Sequence, residues 1–267
     1  LEKIPTDIYE SVEEGANYIA REIAQTIREK QKAGRFCVLA LPGGNSPSHV
    51  YQELIRMHKE EGLSFRNVIV FNMYEYYPLS SDAINSNFNA LKEMLLDHID
   101  IDKQNIFTPD GTIAKDTIFE YCRLYEQRIE SFGGIDIALL GIGRVGNIAF
   151  NEPGSSLSSR TRIKTLTTDT IIANSRFFDN DVNKVPKTAL TVGVGTVLSA
   201  KEVLIICNGH NKARALQHAV EGGITQMWTI SALQMHQHGI IVCDEAATDE
   251  LKVGTYKYFK DIEKANL

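Results

Sequence analysis

The chain has 267 residues, 43% of them hydrophobic and 23% charged, a composition that suits a folded globular protein and excludes a disordered or collagen-like one. Its formal net charge of -6 excludes the broad basic face of a nucleic-acid binder, while leaving room for a local seat for a small anion. Four cysteines without a CxxC pair argue against a structural zinc site, and no stretch reaches the roughly 18 apolar residues of a membrane span.

The cysteines are Cys37, Cys122, Cys207 and Cys243, and three of them lie in apolar runs, as buried reduced thiols do. The seven histidines form no metal signature; His236 and His238 fall in a turn-like "QMHQHG". No secretory signal is evident, although the sequence begins at Leu1 rather than Met, and the expected compartment is the cytosol.

In chain order, residues 8–33 repeat apolar positions at three- and four-residue spacing and predict an amphipathic helix ended by Gly34. "FCVLAL" (36–41) is a continuous apolar run, the mark of a strand buried on both faces. "GGNSPSHV" then turns into a helix reaching about residue 61, and "NVIVFN" (67–72) is the second buried strand. Helical patterns follow near 84–98 and 116–131, then a third strand "IDIALLG" (135–141). Two more strands, "EVLIIC" (202–207) and "GIIVCD" (239–244), flank a helix over about 211–221, and the C-terminal segment from Asp249 reads as helical. This alternation predicts an α/β fold with a mainly parallel, doubly wound sheet, in which ligands sit beyond the carboxyl ends of the strands. With no repeat or linker in view, one domain over 1–267 is expected.

The loops after the strands carry the informative residues. "LPGGNSPS" (41–48) combines flexible glycines with Ser46, a candidate helix cap, and Pro47, suited to a first helical turn; such a helix start is a natural phosphate seat, though a plain capped turn reads the same way. "VFNMYEYYPL" (70–79) ends the second strand with Asn72, Tyr74 and Glu75. "GIGRVGNIAFNEP" (141–153) has the build of a functional loop but offers one acid, Glu152, and no histidine. Its continuation, "GSSLSSRTRIKTL", places Arg160, Arg162 and Lys164 among hydroxyl donors, a mixture that suits an anion. "ANSRFFDN" presents Arg176, and "NGHNKARAL" puts Lys212 at a helix start, where a cation is out of place unless an anion joins it.

Together these loops resemble the glucosamine-6-phosphate deaminase (isomerase) family, most specifically in "FNEPGSSLSSRTRIKTLTTDT", "IANSRFFDNDVNKVPKTALTVGVGT", "QMWTIS" and "VCDEAATDELKVGTYKYF". The resemblance implies a Rossmann-like three-layer α/β/α fold, usually a hexamer. It also implies conversion of glucosamine 6-phosphate to fructose 6-phosphate and ammonia without an organic cofactor. By position, it assigns the substrate phosphate to Gly44, Asn45, Ser46, Arg176 and Lys212. A second site for N-acetylglucosamine 6-phosphate as activator would use Ser155, Arg162, Lys164 and Tyr258.

The same resemblance exposes departures. Family members read "FNMDEY" where this chain has "FNMYEY", and "GxDGHxAFNEP" where it has "GRVGNIAFNEP". Tyr74 stands where the family's C2-proton base would be, and Val145 and Asn147 stand where an aspartate and a histidine assist ring opening. Glu152 is retained, and Arg144 replaces a small polar residue. The expectation is a protein that still binds a hexosamine 6-phosphate but turns it over poorly; the alternative is an active deaminating isomerase. Every replaced position falls before about residue 150, which suggests different histories for the two halves.

Overall fold

A computed structural model describes residues 4–265. The chain opens with β1 (Thr6–Tyr9), α1 (Val12–Lys32), β2 (Cys37–Leu41), α2 (Ser48–Glu61), β3 (Val68–Asn72) and β4 (Tyr74–Tyr77). It continues through α3 (Asn87–Met94), β5 (Ile106–Phe107), α4 (Ile118–Ser131), β6 (Ile137–Gly141), β7 (Arg162–Thr165) and α5 (Thr168–Asn174). It closes with β8 (Thr188–Thr191), α6 (Val194–Leu198), β9 (Glu202–Cys207), α7 (Ala213–Val220), β10 (Gly239–Asp244) and α8 (Val253–Ala265).

Seven strands form one parallel sheet in the order β1-β10-β9-β6-β2-β3-β5. The apolar strand runs are buried on both sides because helices cover both faces. Cys37, Leu39 and Leu41 of β2 face α1 and α2, while Val38 and Ala40 face the core shared with α4, α6 and α7. The result is the three-layer α/β/α, Rossmann-like arrangement. From β2 the order runs outward through β3, and from β6 it runs the other way through β9. The junction of β2 and β6 is therefore the switch point, beyond whose strand ends a doubly wound sheet offers its ligand crevice.

A second, antiparallel sheet, β4-β8-β7, stands beside this edge. It was not visible in the sequence. Asn72 ends β3, the Met73 carbonyl accepts the Val192 N–H at 2.8 Å, and the chain changes sheets before Tyr74. Tyr74 thus does not belong to the second buried strand; it pairs with Thr191, which pairs in turn with Arg162.

The first predicted helix also needs correction. Ile8 lies in β1, opposite Cys243, and α1 starts only after Ser11, whose hydroxyl accepts the Glu14 N–H. Thr6 and Ile8 are buried in alternation with Asp7 and Tyr9, a two-residue period that runs into the helical one and hides the boundary. The pattern near 84–98 resolves into α3 and a short 3-10 turn at Leu96–His98, and the C-terminal helix begins at Val253 rather than Asp249. All four cysteines are free and buried. No helix among the described residues is long and apolar enough to cross a membrane.

Candidate functional site

The loop after β2 comes first in the crevice. Gly43 approaches α3 so closely that a Cβ there would lie 2.1 Å from the Asn87 carbonyl oxygen, and Gly44 adopts a φ of 94° that favours glycine. Ser46 does not cap α2. Pro47 occupies the N-cap, no side chain caps the helix, and its first turn holds no acid. Ser48 N–H donates to the Asn45 carbonyl at 3.2 Å, and the other first-turn N–H groups of this 14-residue helix have no side-chain cap, an anion seat in place of the capped turn expected. Asn45 and Ser46 are exposed, and a Cβ on Gly141 would lie 3.1 Å from Ser46, so the loops after β2 and β6 meet.

Lys212 joins them from the N-cap of α7. Its ammonium donates to the Ile142 carbonyl at 2.5 Å. Burial holds this lysine below its ordinary pKa, and the positive fields of Arg144 and Arg176 push the same way. Arg176 is exposed and lies 4.7 Å over the Phe177 ring. None of these three cations has a carboxylate partner within ion-pair distance among the described residues.

The positions expected to move protons lie nearby and hold other chemistry. Tyr74 is half-buried, edge-on to Phe150 at 4.9 Å, with its hydroxyl 3.4 Å from the Gly43 carbonyl. Burial, then the charge of Glu75, raise its phenol above the ordinary value, so it is a donor and not a base at neutral pH. Glu75 is no substitute. It is fully buried, turned away as strand alternation requires, and accepts the N–H groups of Tyr76, Asn87 and Phe88 at 2.9–3.0 Å. It serves as a cap for α3. Val145 offers no proton, and the Asn147 amide donates to the Ala149 carbonyl at 2.8 Å. Ala149 itself sits at φ 50°, strained for a residue with a Cβ.

Glu152 is the acid of this loop and is 1% exposed. One carboxylate oxygen accepts the Thr167 hydroxyl at 3.0 Å; the other is buried without a protein partner. Asn72 Oδ1, at the end of β3, is likewise unpartnered. Buried polar atoms left open at one edge of a sheet are what a polar ligand would satisfy. Thr167, the N-cap of α5, was missed in the sequence, where "TLTTDT" carries a capping signal but not its target. Thr229 and Trp228 were missed as supports: the Thr229 hydroxyl donates to the Asn151 carbonyl at 2.9 Å, and the Trp228 ring lies against Gly146.

The four residues assigned to an activator lie on different elements. Ser155 is fully buried, and its hydroxyl donates to the Glu152 carbonyl at 2.7 Å. Arg162 and Lys164 share one face of β7, and Arg162 donates to Asn151 Oδ1 at 2.9 Å while burial lowers its pKa. Tyr258 stands on α8, which packs against β1 of the other sheet. A cavity of about 410 Å³ lies at the opposite, amino edge of the main sheet, beside Lys30, Asp136 and Lys201. Both lysines there are paired with Asp136, at 3.1 and 2.7 Å, so the unpaired charge is at the carboxyl edge instead.

Comparison with known proteins shows the family and the fold. The family model described as Glucosamine-6-phosphate isomerases/6-phosphogluconolactonase matches residues 10–242. The chain is 72% identical over 251 residues to a glucosamine-6-phosphate deaminase-like protein of Bacteroides thetaiotaomicron, covering 94% of this chain but only 38% of that longer protein's length. It is 68% identical over 252 residues to a glucosamine-6-phosphate deaminase of Phocaeicola vulgatus, covering 94% of each chain. A solved structure of a monomeric glucosamine-6-phosphate deaminase superposes with a TM-score of 0.87 at 40% identity, covering 91% of this chain and 98% of that one. Each of these matches runs through both halves of the chain.

Proposed function

Because the chain belongs to the family of glucosamine-6-phosphate isomerases and 6-phosphogluconolactonases, we propose that its cleft binds a hexosamine 6-phosphate and that it works in amino-sugar metabolism. The observation that carries this reading is the meeting of Lys212, Arg176 and Arg144 with the uncapped start of α2, without a carboxylate to neutralise them. A phosphate monoester brings about -1.5 to -2 charges at pH 7 and oxygens that accept from such donors. Asn45 and Ser46 would add polar contacts, and Gly44 lets the backbone approach.

Turnover has two readings, each with its own support. The deaminase names of relatives at 68% and 60% identity favour conversion of glucosamine 6-phosphate to fructose 6-phosphate with release of ammonia. Glu152, with an open carboxylate oxygen, is then the group best placed to exchange a proton. The second reading, binding with slow turnover, is favoured by the phenol, hydrocarbon and amide at 74, 145 and 147. A positioned general base contributes about 10²–10⁴ in rate, and none of these side chains supplies one at neutral pH. The activator role of Arg162 and Lys164 and hexameric assembly remain expectations of the resemblance. Light scattering checks the latter, all the more because a solved relative is monomeric.

Thermal shift tests binding and ammonia release tests turnover. Glucosamine 6-phosphate at millimolar concentration should raise Tm, because a ligand of the folded state stabilises it. An unchanged Tm together with no binding heat would end the proposal. Ammonia release at high protein concentration, with and without N-acetylglucosamine 6-phosphate, separates the two readings of turnover.

A further inference from the structure

Tyr74 carries a hydroxyl that the protein leaves under-used. It lies 3.4 Å from the Gly43 carbonyl oxygen, whereas an O–H···O bond spans about 2.5–3.0 Å. Three other tyrosines donate at close range: Tyr51 to the Pro42 carbonyl at 2.6 Å, Tyr77 to that of Ile113 at 2.7 Å and Tyr125 to that of Asn72 at 2.6 Å. The gap at Tyr74 is held from both sides. Gly43 is wedged against the Asn87 carbonyl, while Tyr74 pairs with Thr191 through its backbone and rests its ring on Phe150. No acid takes this proton. Glu75 is occupied by the N–H groups of Tyr76, Asn87 and Phe88; one oxygen of Glu152 accepts from Thr167, and the other has no protein partner.

Two neighbours set where this hydroxyl stands. Gly43 opens the loop that runs through Gly44, Asn45 and Ser46 into the start of α2. Tyr76, two residues along β4, faces the same way, with its ring 5.4 Å from that of Phe150. Burial, then Tyr74 and Glu75, raise the Tyr76 phenol against the opposing positive charge of Arg176. This face of β4 thus runs from the loop after β2 at one end to the charge of Arg176 at the other, two parts of the proposed phosphate seat. A phenol that stays protonated at neutral pH donates to an oxygen but takes no proton from carbon. We infer that Tyr74 is a ligand-binding residue whose phenol hydroxyl donates a hydrogen bond to an oxygen of the bound hexosamine 6-phosphate. The inference rests on the sugar-phosphate reading above and deepens it: position 74 supplies a contact that holds the ligand in place of a base that would turn it over.

Tyr74→Phe removes the hydroxyl and keeps the ring on Phe150; Tyr77→Phe, on the same strand, removes the well-formed bond to Ile113 and serves as the control. Glucosamine 6-phosphate, glucose 6-phosphate and inorganic phosphate are titrated by calorimetry into the wild type and both variants, and the Tm of each unliganded protein is recorded. Tyr74→Phe should weaken both sugar phosphates without lowering Tm, because it has no short bond to lose. If the partner is a phosphate oxygen, all three probes should weaken about 10- to 100-fold; if it is a sugar oxygen, the two sugar phosphates should weaken about 3- to 10-fold and inorganic phosphate should not change. Tyr77→Phe should lower Tm and leave every affinity within about twofold. Unchanged affinities in Tyr74→Phe, with or without a loss of Tm, would overturn the inference and leave the sugar-phosphate reading intact. So would equal weakening in the two variants, or a loss confined to glucosamine 6-phosphate, which would make the phenol an acceptor for the ammonium. If the wild type binds none of the probes, the sugar-phosphate reading fails and the inference falls with it.

Discussion

The loop after β2 and the loop after β6 meet at Gly141 and Ser46, yet they have fared differently. The first, with the open start of α2 and Lys212 across the crevice, retains what an anion needs: N–H groups, hydroxyls and unpaired positive charge. The second, with Tyr74 beside it, retains the backbone path and the buried Glu152 but holds a phenol, a hydrocarbon and an amide where proton transfer calls for acids and bases. On the proposed reading, binding and catalysis would rest on separable parts of one cleft. Anion binding tolerates changes in the second loop because it depends on charge and backbone geometry, whereas moving a proton off carbon depends on individual titrating atoms.

Restoring those atoms should sharpen the contrast most. Tyr74→Asp with Val145→Asp and Asn147→His should raise ammonia release from glucosamine 6-phosphate by about a hundredfold or more. An unchanged rate would mean that the difference between the loops lies in more than these side chains. Attacking the first loop instead, Lys212→Met should weaken glucose 6-phosphate binding about 10- to 100-fold by calorimetry, the worth of a charged hydrogen-bonded contact. Unchanged affinity would move the phosphate seat away from α7.

The two acids beside the cleft should also part company. Glu75→Ala removes the acceptor of three backbone N–H groups, one buried and two part-buried, and should cost about 2–3 kcal/mol in urea denaturation. Glu152→Gln should change stability by less than about 1 kcal/mol while lowering whatever turnover exists, because one of its oxygens has no protein partner to lose.

Asp136, at the amino edge, serves as a control. Burial alone would raise its carboxyl, but Lys201, the Val38 N–H and Lys30 together hold it below the ordinary range. Its stabilisation is present above the unfolded value of roughly 3.9 and is lost as pH falls through the lower folded value. Asp136→Asn should therefore flatten the acid limb of the stability curve and leave ligand affinity alone. The smallest effect is expected at Ala149, whose φ of 50° suits glycine; Ala149→Gly should stabilise by up to about 1 kcal/mol.

Much of this was legible in the sequence because a parallel sheet covered on both faces writes its strands as unbroken apolar runs. "FCVLAL", "NVIVFN" and "EVLIIC" fall within a residue of β2, β3 and β9, and the loops behind them frame the cleft. The strands of the small sheet were not legible. "RIKT" and "TALT" are short, polar in part, and become strands only by pairing with residues far along the chain. That pairing moved Tyr74 out of the second buried strand and showed where Glu75 goes. Alternation indicated that Glu75 turns away, but only the fold reveals the start of α3 as its destination. Ser46 was misread as a cap because the local pattern fits one, while the chain begins α2 a residue later and leaves the helix open. The contacts Thr167 makes with Glu152 and Arg162 makes with Asn151 join separate elements and leave no local trace.

The separation of binding from proton transfer is tested most directly by one calorimetric titration of the purified wild-type chain with glucosamine 6-phosphate. The account predicts discrete heats that saturate at millimolar ligand, with the power returning to baseline after each injection. Sustained heat flow, with fructose 6-phosphate accumulating in the cell, would decide turnover for the deaminase reading, and a flat trace would contradict the account of binding.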